Sequence, residues 1–209
     1  MNANDFFSGA YCINLESRKD RWKSSQNEFK KIGISPDRFN AIIDSYPPRG
    51  CLKSHIELLE QHQKKGGGNI LIFEDDVEFI EDANTIIKEA LKEIADIKWD
   101  FLYFGGNILK NFYQKTKRLA RLTHCQSTHA YSINGDFIDE ALSILKNEDN
   151  FIDLIYSRKI IPFKKCYIVI PMVAIQREDY SDIEKGIMSY NIPIHRYKEH
   201  LITLENQNE

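Results

Sequence analysis

Ile70-Leu71-Ile72-Phe73-Glu74-Asp75-Asp76 is an apolar run that stops abruptly at three consecutive carboxylates. A short continuous apolar run is what a strand buried on both faces looks like, and ligands of open α/β sheets bind at the carboxyl ends of such strands. The acids therefore belong at a strand mouth. Three adjacent anions repel unless a cation or a set of donors compensates, so the run reads either as a divalent-metal site with oxygen ligands or as solvated residues ahead of a helix. On an extended segment Glu74 and Asp76 point to one side and Asp75 to the other.

Working outward, apolar segments alternate with amphipathic ones. Tyr11 to Leu15 reads as a first strand, followed by a helix with a box-like start at Ser17 and Asp20, apolar Trp22, Phe29 and Ile32, and Gly33 as its stop. Arg38 to Ile43 is predicted as a second strand, and a helix is expected from about Cys51 to Lys65, ended by Gly66-Gly67-Gly68. After the acids, Asp82 is an expected N-cap for a helix with Ile87, Ala90, Leu91 and Ile94 inward. Phe101 to Phe104, His129 to Ile133 and Tyr167 to Ile170 read as further strands, with a helix from Phe137 to Leu145 and a basic loop or hairpin over the site from Lys110 to Arg121. This alternation predicts an α/β sandwich, a largely parallel central sheet with flanking helices. One domain is expected over residues 1–204, with 205–209 a polar tail.

Composition narrows the function. Lys and Arg total 28 against 31 acids, a formal net charge of −3. That balance lacks the basic excess of a nucleic-acid binder. Cys12, Cys51, Cys125 and Cys166 are too scattered for a zinc motif or a disulfide scaffold, and no apolar run approaches the roughly 20 residues of a membrane span. The expectation is a soluble, cytoplasmic protein without a transmembrane segment, peripheral membrane association left open.

Several other residues can carry chemistry. Arg18 and Arg21, three apart on the opening turns of the first helix, suit a diphosphate or lie on a solvated face. Gly50-Cys51-Leu52-Lys53-Ser54-His55 opens the second helix, where backbone N–H groups, Ser54 and His55 can donate to a nucleotide or serve only structure. His129 completes a metal sphere, touches a phosphate, or is a hydrogen-bonded core residue. Asp153, set between Phe151-Ile152 and Leu154-Ile155, either caps a helix or has a raised pKa fit for base work.

Taken in order, Ile13-Asn14-Leu15 with Arg18 and Asp20-Arg21, Arg38-Phe39-Asn40-Ala41, Gly50-Cys51 with Ser54-His55, Glu74-Asp75-Asp76, His129-Ala130-Tyr131, and Gln176 with Ser181-Asp182-Ile183 resemble family 25 glycosyltransferases, which include lipooligosaccharide galactosyltransferases and collagen β-galactosyltransferases. The resemblance implies a single GT-A-type domain, a UDP-sugar donor, Mn²⁺ (or Mg²⁺), inversion at the anomeric carbon, and a glycan or hydroxylated protein side chain as acceptor. Galactose is the favoured sugar, then glucose. Asp76, Glu74 and His129 are then the expected metal set; Asn14, Arg18, Arg21, Ser54, His55, Glu74 and Asp75 line the donor site, and Asp153, with Asp182 second, is the base. A catalytically silent nucleotide-sugar-binding relative and a Mg²⁺-dependent phosphotransfer domain are the competing readings.

Overall fold

The computed structural model of the 209-residue chain describes residues 3–108, 110–181, 186–188 and 196–205. Its helices are α1 (Ala3–Phe6), α2 (Lys19–Ile32), α3 (Pro47–Lys64), α4 (Ala83–Ile94), α5 (Ile138–Leu145) and α6 (Ile152–Ile155). Its strands are β1 (Gly9–Asn14), β2 (Asp37–Asn40), β3 (Ile70–Glu74), β4 (Val77–Phe79), β5 (Phe101–Tyr103), β6 (Phe112–Gln114), β7 (Leu119–Arg121), β8 (Ala130–Ile133), β9 (Cys166–Val169), β10 (Ala174–Gln176), β11 (Asp179–Ser181), β12 (Gly186–Met188) and β13 (Leu201–Ile202). Nine strands form the central sheet in the order β13-β6-β7-β9-β5-β8-β3-β1-β2, while β4 pairs with β10 and β11 with β12.

The chain adopts the expected α/β fold with helices on both faces. Strand β3 shows why. Ile70 and Ile72 pack with Leu52, Leu58 and Leu59 of α3 and Ile138 and Leu145 of α5, whereas Leu71 and Phe73 pack with Phe29 and Ile32 of α2 and Ile87, Ala90 and Leu91 of α4. These four side chains are essentially inaccessible, so this stretch cannot alternate apolar with polar residues.

The sheet is more mixed than the expected largely parallel one. Four of its pairings are parallel (β1·β2, β1·β3, β5·β9 and β6·β13) and four are antiparallel. The consequential strand is β8, inserted antiparallel between β3 and β5 with Phe73 opposite Ala130. An antiparallel neighbour begins where β3 ends, so the residues just before β8 are delivered to the acids.

Local signals mostly hold, with informative exceptions. Gly33 ends α2 in the left-handed conformation, φ 66°, that glycine adopts without a Cβ penalty. Helix α3 starts at Pro47 rather than near Cys51, because proline suits a first turn that has no use for its missing N–H. Among the described residues neither α2 nor α4 has a side-chain cap; the N-cap position of α2 is Arg18 instead of a Ser17–Asp20 box, and Asp82 serves α4 through its carbonyl. Strand β2 stops at Asn40. Residues 112–121 form the hairpin β6–β7, which extends the sheet beside β9 instead of covering a site. Of the expected tail, 206–209 lie outside the described residues. Among the described residues no helix is long and apolar enough to cross a membrane.

Candidate active site

At the carboxyl ends of β1 and β3 lies a cavity of about 600 Å³ lined by Asn14, Arg21, Ser54, His55, all three acids, Asp153, Gln176 and Arg177, with Ile42, Pro48, Phe151 and Ile152 among its apolar side chains. Glu74 continues the even-numbered side of β3 toward α3. Its Oε1 accepts a 2.6 Å bond from Thr128 and lies 3.6 Å from His55 Nε2. Burial opposes its charge, but His55, Thr128 and His129 outweigh that and hold its pKa below the usual range.

Asp75 turns the other way. It accepts from Asn14 Nδ2 at 2.5 Å and from Arg21 at 2.9 Å, and its carbonyl accepts from Ser25 Oγ and an Arg177 guanidinium nitrogen. Burial raises its pKa even against Arg21 and Asn14. Asp76 is the least compensated of the three. Its Oδ2 accepts from Gln176 Nε2 at 3.0 Å and its carbonyl from Arg177 N at 2.7 Å, while its buried Oδ1 has no hydrogen-bond partner among the described residues. Burial, then the charge of Glu74, push its pKa from 3.8 to about 7. A buried carboxylate oxygen without a donor, beside two more carboxylates, fits a hard divalent cation.

The expected donor residues are brought together unevenly. Asn14 and Arg21 line the cavity, but both are engaged with Asp75, and Arg21 is also 3.9 Å from Asp76. Arg18 lies on Asp20, at 3.2 Å, outside the cavity lining. Ser54 accepts from Ile42 N and donates to the Gly50 carbonyl, both at 2.8 Å, so it fastens the loop after β2 onto α3. A Cβ on Gly50 would stand 2.7 Å from the Ile42 carbonyl oxygen, which explains the glycine at this crossing. Because α3 starts at Pro47, Gly50 N bonds to the Tyr46 carbonyl; this backbone lies within the helix and not at the exposed end expected for nucleotide binding.

His129 does not line the cavity. Its Nδ1 sits 2.6 Å from Ser127 Oγ, and its Nε2 packs beside Gly105, where a Cβ would meet it at 2.8 Å and the Ala174 carbonyl oxygen at 1.8 Å. Burial depresses its pKa. Asp153 lies in the first turn of α6 without being its N-cap residue; it accepts from Leu154 N at 2.8 Å and Ser127 N at 3.2 Å. Burial raises its pKa despite these donors. Asp182 lies outside the described residues.

Three contributors escaped the sequence reading. Ser127, with φ 77° where non-glycine residues are rare, joins Asp153, His129 and Gln176 Oε1. Thr128 holds Glu74, and Arg177 ties the backbone of the acids to Ser24. Gln176 belongs to the ordered set of residues above, whereas no local pattern marks Ser127, Thr128 or Arg177. Cys51 also lines the cavity; burial, then Glu74, Asp153 and Asp76, push its thiol well above the ordinary value.

A polar cavity with clustered carboxylates at the carboxyl ends of the strands lies where open α/β sheets bind their ligands. Residues 45–151, half the chain, match the family model described as glycosyltransferase family 25 (LPS biosynthesis protein), and the chain belongs to that family. The human protein named inactive glycosyltransferase 25 family member 3 is 25% identical over 95 residues, covering 41% of this chain and 16% of that protein. A glycosyltransferase 25 family member of Aedes aegypti is 26% identical over 137 residues, covering 52% and 23%. The matches thus span less than a quarter of either relative. Among solved structures, a glycosyltransferase involved in glycosylation of the major capsid of PBCV-1 superposes with a TM-score of 0.52 over 92% of this chain and 97% of that one, at 8% identity, a likeness of fold.

Proposed function

We propose that this chain is an inverting glycosyltransferase that moves a hexose, galactose first and glucose next, from a UDP-sugar to a hydroxyl of a glycan or hydroxylated protein side chain. The observation that carries the reading is one cavity lined both by the Glu74-Asp75-Asp76 cluster, with its unpartnered Asp76 oxygen, and by a separate buried carboxylate, Asp153. Asp76 with Glu74 would hold Mn²⁺ or Mg²⁺, which would neutralise charge on the leaving UDP. His129, behind the cavity wall, is left out of that set.

The protein's own groups have distinct tasks. Arg21 and Asn14 hold Asp75, and Gln176 orients Asp76. Asp153 takes the proton of the acceptor hydroxyl as that oxygen attacks the anomeric carbon, and burial gives its carboxylate the higher basicity this requires. A single base of this kind corresponds to one displacement and inversion. Ile42, Pro48, Phe151 and Ile152 keep part of the cavity apolar, which limits competition by water.

The test is a panel of UDP-sugars with and without Mn²⁺, read by thermal shift and released UDP. One sugar nucleotide should raise the melting temperature in a metal-dependent way and yield UDP with a hydroxyl acceptor. Stabilisation without turnover on any acceptor would assign binding without transfer. Neither effect with any nucleotide sugar would overturn the proposal.

A further inference from the structure

Cys51, His55 and Glu74 place one sulfur, one nitrogen and one oxygen within 4.8 Å of one another at the wall of the cavity. Cys51 and His55 are four apart on α3, the spacing that puts two side chains on one helix face one above the other. Glu74 reaches the same point from the end of β3. The His55 ring is fully buried, and its orientation is set from behind: Nδ1 is 2.6 Å from the Tyr131 hydroxyl, itself 3.2 Å from the Tyr156 hydroxyl. Its Nε2 faces Glu74 and has no hydrogen-bond partner among the described residues, since 3.6 Å is beyond hydrogen-bond range.

The geometry points to a binding site for a thiophilic divalent cation, Zn²⁺ in the first instance, held by Cys51 Sγ, His55 Nε2 and Glu74 Oε1. Zinc bonds to sulfur are about 2.3 Å, and those to nitrogen and oxygen about 2.0–2.2 Å, so the edges of a tetrahedral site are roughly 3.3–3.8 Å. The His55–Glu74 edge, 3.6 Å, already matches. With the three ligand atoms within 4.8 Å of one another, the sulfur edges must close by up to about 1 Å on binding. The Tyr131 contact on the far ring nitrogen is the outer support that metal-bound histidines require.

Three protein ligands leave a fourth position facing the cavity. Sulfur and imidazole select Zn²⁺ over Mn²⁺, which the carboxylates of Glu74 and Asp76 would favour instead. On binding, the Cys51 thiol gives its proton to solvent and the thiolate bonds the metal. Because Glu74 is shared, a thiophilic cation here withdraws that carboxylate from the acid cluster. The site rests on its own geometry and not on the transferase reading.

The experiment titrates the full chain with Co²⁺ as a spectroscopic stand-in and Zn²⁺ by calorimetry, with no sugar nucleotide present. Wild type should show thiolate-to-cobalt charge transfer in the near ultraviolet, saturating at one ion per chain and abolished by competing Zn²⁺. Cys51→Ser and Cys51→Ala should lose the band and at least roughly tenfold in Zn²⁺ affinity, since one of three ligands is gone; Asp76→Asn should retain both. Circular dichroism shows that the variants are folded, and the two Cys51 replacements guard against one failing to fold. Absence of the band in wild type, its survival in folded Cys51→Ser, or its loss in folded Asp76→Asn would each overturn the site. None of these readings depends on transfer, so failure of the proposed activity is scored separately.

Discussion

Replacing Asp76 by asparagine should make the metal-free protein more stable at alkaline pH, although it removes a residue at the centre of the site. Burial and Glu74 move the Asp76 pKa from 3.8 to about 7. At 1.36 kcal/mol per pH unit, that corresponds to roughly 4 kcal/mol of preference for the protonated acid. The folded chain binds this proton more tightly than the unfolded chain, so the contribution is fully present below pH 3.8. It declines as pH rises through the window to about 7, and above that the folded state carries the whole penalty of a buried, under-compensated anion. Asparagine cannot ionise. Its carbonyl can accept the Gln176 bond, but its NH₂ takes the place of the unpartnered Oδ1 and costs about 1–3 kcal/mol if it stays unsatisfied. The net gain at pH 8.5 is then about 1–3 kcal/mol, a rise of roughly 2–12 °C in melting temperature for a chain of this size. At pH 4.5, where the wild-type acid is already protonated in the folded state, the variant should show no gain or a small loss. The assay is thermal unfolding in EDTA at both pH values, repeated with Mn²⁺, which should stabilise wild type and leave Asp76→Asn unmoved. A variant no more stable than wild type at pH 8.5 in EDTA would refute the reasoning, because the acid would then be compensated by groups already in the protein.

Arg21→Met leaves Asp75 without its buried cation, so a loss on the order of 3–5 kcal/mol at neutral pH is expected in urea unfolding, shrinking toward pH 4 as Asp75 protonates. Unchanged stability with weakened UDP binding would return Arg21 to the diphosphate role expected from its position in the sequence. Asp153→Asn keeps the shape but cannot take a proton; UDP-sugar affinity by calorimetry should persist while transfer falls roughly 10²–10⁴-fold. Near-normal transfer would move the base elsewhere, Asp182 being next. Gly105→Ala drives a methyl group against the Ala174 carbonyl and the His129 ring, at 1.8 and 2.8 Å, and should destabilise the chain by about 1–3 kcal/mol or more while loosening the Gln176–Asp76 contact. An unaltered urea midpoint would show that β10 yields without strain.

What could be read in the sequence is what neighbouring residues decide. The β3 run is doubly buried, and its composition says so; Gly33 stops α2 by a backbone preference local to one residue. The direction of β8 is a different matter. All four of its side chains are buried, so no alternation marks a face, and the chain reaches it only after the β6–β7 excursion from β5. A parallel β8 would have carried Ile133 to the acids; the antiparallel one brings Ser127 and Thr128, and with them the link to Asp153. Gln176 meets Asp76 across 100 positions because β10 pairs with β4, two three-residue strands too short to recognise beforehand. Arg21 is instructive, since its pairing with a carboxylate has a signal in the sequence. Positions 21, 25, 29 and 32 recur at helical spacing and are the buried ones of α2, so Arg21 shares the stripe of Phe29 and Ile32, and a buried guanidinium there calls for a carboxylate companion. Asp75 is that companion, so one acid of the three is already compensated by the protein and the demand for a cation falls on Asp76 and Glu74.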